Sequence, residues 1–150
     1  MNIFDGIRSS YLAEGLSSDQ VQAIADIADE VVHSDNEEIV REFDESADDI
    51  FILLKGKVRV TTASGELIAR LNAGAIIGEI ALFENARRSA SVISDGEANL
   101  ARINATKFNA LFESQPALGV IVLRNLGKTV TQRLRSSNVQ LEAVLKGLDY

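Results

Sequence analysis

From the amino terminus, the first regular pattern of hydrophobic residues has helical spacing. Val21, Ile24, Ile27 and Ala28 fall three and four residues apart, after Ser17 and Ser18, either of which can cap a helix start. From about Glu38 the period changes. Ile39-Val40, the run 50–54 and Val58-Arg59-Val60 are short, β-rich and separated by turn residues. Residues 57–61 alternate polar and apolar, as a half-buried strand does. Ser64-Gly65, between Thr61-Thr62 and Leu67-Ile68, predicts a tight hairpin turn. Asn72-Ala73-Gly74 and Ser94-Asp95-Gly96 punctuate the later runs, which end at 99–103. Many short strands at roughly ten-residue spacing predict a small antiparallel barrel or jelly roll.

After Ile103 the helical period returns. Residues 107–113 form a short amphipathic set, and Pro116 can open a last helix, where its missing N–H costs nothing. That helix is predicted over 117–146, with apolar positions Leu123, Val130, Leu134, Leu141, Val144 and Leu148. From Val130 onward, with Ser137 included, these positions make a heptad seam, which Gly127 weakens. Such a seam packs on the barrel or on a second copy of itself, and a homodimer through this helix is the expectation. The predicted class is α+β, mainly β. It is an antiparallel jelly-roll β-barrel, the cupin-like double-stranded β-helix, with N-terminal helices and a long C-terminal helix. One domain would span 1–150, divided into a helical part at 1–30, a β-roll at 31–104 and C-terminal helices at 105–150.

Composition narrows the function. A hydrophobic fraction of 46% in 150 residues is enough for one real core. With no cysteine, there is no disulfide framework, thiolate metal site or cysteine nucleophile. The start, MNIFDGIRSS, lacks the basic segment and apolar run of a signal peptide, and no apolar run approaches the ~18 residues that span a bilayer. The expectation is a cytoplasmic chain with no membrane partner. A formal net charge of −7 argues against nucleic acid, which is bound through clustered Lys and Arg. Acid concentrates at Asp35, Glu37, Glu38, Glu42, Asp44, Glu45, Asp48 and Asp49, read as a solvated strand and turn face, with a docking surface or divalent-ion site as the alternative.

The most informative stretch is residues 78–91. Gly78 lets the backbone approach a ligand closely, and Glu79 to Phe83 favour one helical turn whose N–H groups face an anion. Arg88 returns ten residues later with a fork that pairs bidentately with phosphate. Ser89 adds a hydroxyl, and the small Ala90 leaves its N–H accessible. A carboxylate beside an anion site is a poor choice unless it accepts hydrogen bonds, and a ribose hydroxyl would supply such a donor. An anion with a hydroxyl donor is the signature of a nucleotide.

This segment resembles the phosphate-binding cassette of cyclic nucleotide-binding domains, the family of the kinase A regulatory subunit and the bacterial catabolite activator. The family pattern is matched by Gly78, Glu79, Ile80, Ala81 and Leu82, then Arg88, Ser89, Ala90 and Ser91. At ~7% per residue type, six fixed matches arise by chance at about one position in ten million. Residues 52–60 resemble the family's strand-Gly-strand stretch, Leu71-Asn72-Ala73-Gly74 its approach to the cassette, and the likeness covers about 15–140.

The resemblance implies that Glu79 holds the ribose 2′-hydroxyl and Arg88 an exocyclic phosphate oxygen. The Ile80, Ala81 and Ala90 N–H groups and the Ser89 hydroxyl would complete the cradle, with Val60, Ile68 and Leu71 as its apolar wall. Ser137 and Asn138 fall where the bacterial activator carries a polar pair that reaches the base. There are departures. Ile77 replaces an aromatic, Arg87 a common Pro, and Phe43 a common Gly in the early strand turn.

The implied function is a stand-alone sensor that binds cAMP in preference to cGMP, needs no cofactor, and signals through its terminal helix to itself or to an unknown downstream protein. One alternative is the ligand-sensing half of a transcription regulator, its DNA-binding module absent from this chain or lying outside it. The other is a cupin-type enzyme. Cupin metal sites need several imidazoles, and His33 is the one histidine present. It is flanked by Ser34 and Asp35, but neighbours in sequence on a strand point to opposite faces, so it makes no triad and is read as structural.

Overall fold

The computed structural model describes residues 1–44, 48–83, 88 and 90–148, without the side chains of residues 144, 147 and 148. Among the described residues, four α-helices and six strands follow in the order α1 (Ile3–Ser9), α2 (Ser18–Asp26), β1 (Ala28–His33), β2 (Glu38–Val40), β3 (Asp49–Thr61), β4 (Leu67–Asn72), β5 (Ile76–Ile77), β6 (Ser91–Asn104), α3 (Ala105–Ser114) and α4 (Pro116–Leu148). A 3-10 turn at Tyr11–Ala13 joins α1 to α2, and a second occupies Glu79–Leu82.

Local chemistry sets several boundaries. Ser17 caps α2 in a reciprocal box with Gln20, so the helix starts where its serines predict. It ends earlier than its apolar spacing predicts, because Ala28 already belongs to β1 and pairs with Ile103. The runs 50–54 and 58–60 are one strand, bent at Gly56, whose φ of 92° only glycine adopts readily. The hairpin at Ser64-Gly65 forms as its residues predict, with the Gly65 N–H donating to Thr62 O at 2.9 Å.

All strand pairs are antiparallel, in the order β1-β6-β3-β4, with β2 on β6 and β5 on β3. This is a jelly-roll sheet with helices at both ends of the chain. The ladder is open among the described residues, and the roll is not a closed hydrogen-bonded barrel.

Strand alternation divides the core in two. In β3, Ile50, Ile52 and Leu54 face the helices, whereas Phe51 and Leu53 point into the roll. In β6, Ala101 and Ile103 join the helical side, and Ala98 and Leu100 the roll. Helix α4 closes the helical side with Leu118, Val122 and Leu126, all fully buried at four-residue spacing. Beyond Val130 the helix leaves the body. Leu134 and Leu141 are 60% and 57% exposed, so the seam does not pack on the barrel, and the side chains of Val144 and Leu148 lie outside the described residues. Among the described residues no helix is long and apolar enough to cross a membrane.

Candidate functional site

The roll's interior is incompletely filled, and the gap is a pocket of about 620 Å³. Its apolar floor continues the inner core through Val40, Val60, Leu71, Ile77 and Val92, and Ile76, which packs on the helical side, adds to the lining. The polar rim comes from residues 78–81, Arg88 and Ala90, and from Arg133 on α4.

Gly78 turns the chain out of β5 in the left-handed conformation, φ 81° and ψ 19°. A side chain there would overlap the Arg88 guanidinium and stand 3.1 Å from Asp49 O, so backbone and arginine meet only because the residue is glycine. The Glu79–Leu82 turn follows, as its propensity predicts. Its Ala81 N–H, expected in the anion cradle, donates to Gly78 O at 3.2 Å.

Arg88 is held at its backbone by the turn after β2. The Phe43 N–H donates to Arg88 O at 2.8 Å, and the Arg88 N–H to Asp44 O at 3.2 Å. Phe43 keeps the shape for which glycine is common, at φ 70°. Arg88 is 8% exposed and donates from Nη2 to Asp49 O at 2.6 Å, while Nε has no hydrogen-bond partner among the described residues. Burial pushes this guanidinium below its ordinary range, and the carboxylates of Asp49, Asp44 and Asp48 oppose that shift. A buried cation with an orphaned donor is costly unless an anion completes it.

Glu79 is also buried. Its Oε1 accepts from Tyr11 Oη at 3.2 Å and from Arg133 Nη1 at 2.9 Å. The Arg133 guanidinium carbon lies 5.9 Å from the centre of the Tyr11 ring. Burial first, and then the Glu79 carboxylate, push the Tyr11 phenol well above its ordinary value, so it remains a donor.

Of the residues singled out in the sequence, Gly78, Glu79, Ile80, Ala81, Arg88, Ala90, Val60 and Leu71 line one pocket. Ile68 does not. It lies three residues from Leu71 on β4, so pleating puts it on the opposite face, 58% exposed. Ser137 and Asn138 also stay out of the pocket, exposed on the projecting half of α4. Arg133, one turn earlier, is the α4 residue that arrives. Ser89 and Arg87 lie outside the described residues.

The sequence reading missed Tyr11 and Arg133. Each is a single polar residue on an amphipathic segment, and no local signal separates them from solvated neighbours. His33 pairs with Glu37 at 2.9 Å on an exposed edge. Among the described residues no group of three or more His, Cys, Asp or Glu could hold a metal ion.

An apolar pocket in a jelly roll, rimmed by a glycine turn, a buried arginine and a buried carboxylate, has the form of a small-ligand site. Residues 30–115, more than half of the chain, match the family model of the cyclic nucleotide-binding domain. The chain belongs to this family.

A solved cyclic nucleotide-binding domain from Methylobacillus flagellatus is similar with a TM-score of 0.79 and 25% identity, over 91% of this chain and 81% of that one. The regulatory domain of Toxoplasma gondii PKA, solved with cAMP, shares the fold at TM-score 0.72 and 23% identity, over 87% of this chain and 49% of that one. Glutaminase 1 of Bradyrhizobium diazoefficiens is 32% identical over 131 residues, 87% of this chain but 21% of that protein. The chain spans 21% and 6% of the lengths of the curated relatives it matches.

Proposed function

We propose that this chain is a cyclic nucleotide sensor that binds cAMP in preference to cGMP and does no chemistry on it. The observation that carries the reading is Arg88, a buried guanidinium whose Nε lacks a partner among the described residues, in the same pocket as the buried Glu79 carboxylate. An exocyclic phosphate oxygen would complete Arg88, and the ribose 2′-hydroxyl would donate to Glu79. The N–H groups of Ile80, Ala81 and Ala90 and the Ser89 hydroxyl serve the phosphate, with Ala81 first releasing Gly78 O. The purine lies against Val60 and Leu71. A volume of about 620 Å³ falls within the roughly 300–1,000 Å³ usual for small-ligand sites.

The signal leaves through α4. Its buried half is fixed to the body, its exposed half carries Leu134 and Leu141, and Arg133 joins it to the pocket. Self-association along that face, or a downstream protein docked on it, would respond to ligand by population shift and would alter ligand affinity in return. The likeness to a segment of a glutaminase supports a module that governs a larger assembly. Calorimetric titration with cAMP, cGMP and a cyclic dinucleotide tests the ligand. Tightest binding of cAMP is expected, and a clear preference for cGMP overturns the base assignment.

A further inference from the structure

A single phenol ties the N-terminal segment into the pocket. Tyr11 stands 68 residues upstream of Glu79, yet its hydroxyl donates to Glu79 Oε1 at 3.2 Å. Arg133 meets the same oxygen at 2.9 Å from α4. Neither donor takes Oε2. The two donor elements are also joined without Glu79, because Asn125 Nδ2 on α4 donates to Leu12 O and Glu14 O, both at 2.8 Å. The 3-10 turn at Tyr11, helix α4 and the cassette thus close a triangle around one carboxylate oxygen.

A free glutamate side chain rotates about several bonds. Two donors converging on Oε1 limit that rotation and so set where Oε2 points. A hydrogen bond to a charged acceptor is strong only when it is well aligned, so orienting the carboxylate in advance raises the affinity of whatever donates to it.

We propose that Tyr11 is a positioning residue for the ligand's ribose: by holding Glu79 Oε1, it presents Oε2 to a hydroxyl of the bound nucleotide. The N-terminal turn is then part of the ligand site rather than only packing on the helical core, where the Tyr11 ring also rests. This inference rests on the reading of Glu79 as the ribose acceptor.

The test pairs one substitution with one ligand change. Tyr11→Phe keeps the ring and removes the hydroxyl, and 2′-deoxy-cAMP removes the donor that Glu79 would meet. The unmutated chain should bind cAMP at least tenfold more tightly than 2′-deoxy-cAMP, the loss expected for a hydrogen bond to a charged group. Tyr11→Phe should weaken cAMP about three- to tenfold and change 2′-deoxy-cAMP by less than about twofold. Equal weakening of both ligands, or of neither, overturns the proposal, because a packing role does not distinguish them.

A second measurement needs no change at Tyr11. The sequence has two tyrosines, Tyr11 and Tyr150. In the chain labelled with 3-fluorotyrosine, the Tyr11 fluorine resonance, assigned with Tyr150→Phe, should shift on adding cAMP and shift less with 2′-deoxy-cAMP. Equal shifts contradict the proposal. If the unmutated chain binds neither ligand, the nucleotide reading of the site fails, and this inference with it.

Discussion

Replacing Gly78 by alanine separates backbone strain from the placement of Arg88. At φ 81° an alanine carries the left-handed penalty of about 1–2 kcal/mol. Its Cβ would also overlap Arg88 Nη1, with Cζ at 3.2 Å and Asp49 O at 3.1 Å. The Asp49 carbonyl is part of β3 and cannot retreat, so the guanidinium must move. Moving breaks the 2.6 Å bond from Nη2 to Asp49 O, a charge-assisted contact of about 1.5–3 kcal/mol. With partial relaxation the expected loss of stability is about 2–4 kcal/mol, which an ordinary domain survives.

The natural control is Gly65→Ala. Gly65 has φ 91° with nothing within 4 Å of its would-be Cβ, so it carries the strain without the clash. It should lose about 1–2 kcal/mol. Urea unfolding measures both variants, and calorimetry measures cAMP affinity. Gly78→Ala should bind at least tenfold more weakly, about 1.4 kcal/mol, while Gly65→Ala binds normally. Equal destabilisation of the two variants with unchanged affinity in both would refute this account of Gly78.

Two further outcomes follow from the same geometry. Leu126→Ala, at a fully buried position of α4, should cost about 2–5 kcal/mol in urea unfolding, whereas Leu134→Ala, 60% exposed, should stay within about 0.5 kcal/mol in dilute solution. Similar costs at both positions would mean that the outer half of α4 is covered. Tyr11 gives a pH signature. Its phenol is raised above the unfolded value of about 10, first by burial and then by Glu79, so its contribution is intact below about pH 10 and declines as the unfolded chain ionises above that. The urea midpoint should fall more steeply above about pH 10 in the unmutated chain than in Tyr11→Phe, and equal slopes contradict the assignment.

Much of this architecture is legible in local pattern. The Ser17 cap, the Ser64-Gly65 hairpin and the cassette turn depend on a few adjacent residues, and the structure places them where the sequence does. The failures are of two physical kinds. Ile68 is an error of parity, because one pleat decides whether a β4 residue meets the pocket or solvent. Ser137 and Asn138 miss the pocket for want of reach. Heptad spacing tells which positions share a face, but not that the body ends at Val130, with Leu118, Val122 and Leu126 carrying the burial. Tyr11 and Arg133 meet at Glu79 only through the packing of three distant elements, which no window of sequence contains.

The central claim is that the pocket holds a cyclic nucleotide through Arg88, and calorimetric titration of the chain and of Arg88→Ala with cAMP tests it most directly. The account predicts saturable binding at one site per chain, weakened in the variant by about 2–5 kcal/mol because a buried phosphate loses its paired charge. The variant should unfold within about 1 kcal/mol of the unmutated chain, since the loss of the Asp49 O bond is offset by removing a buried, incompletely bonded cation. No binding by the unmutated chain, or equal affinity in both proteins, would contradict it.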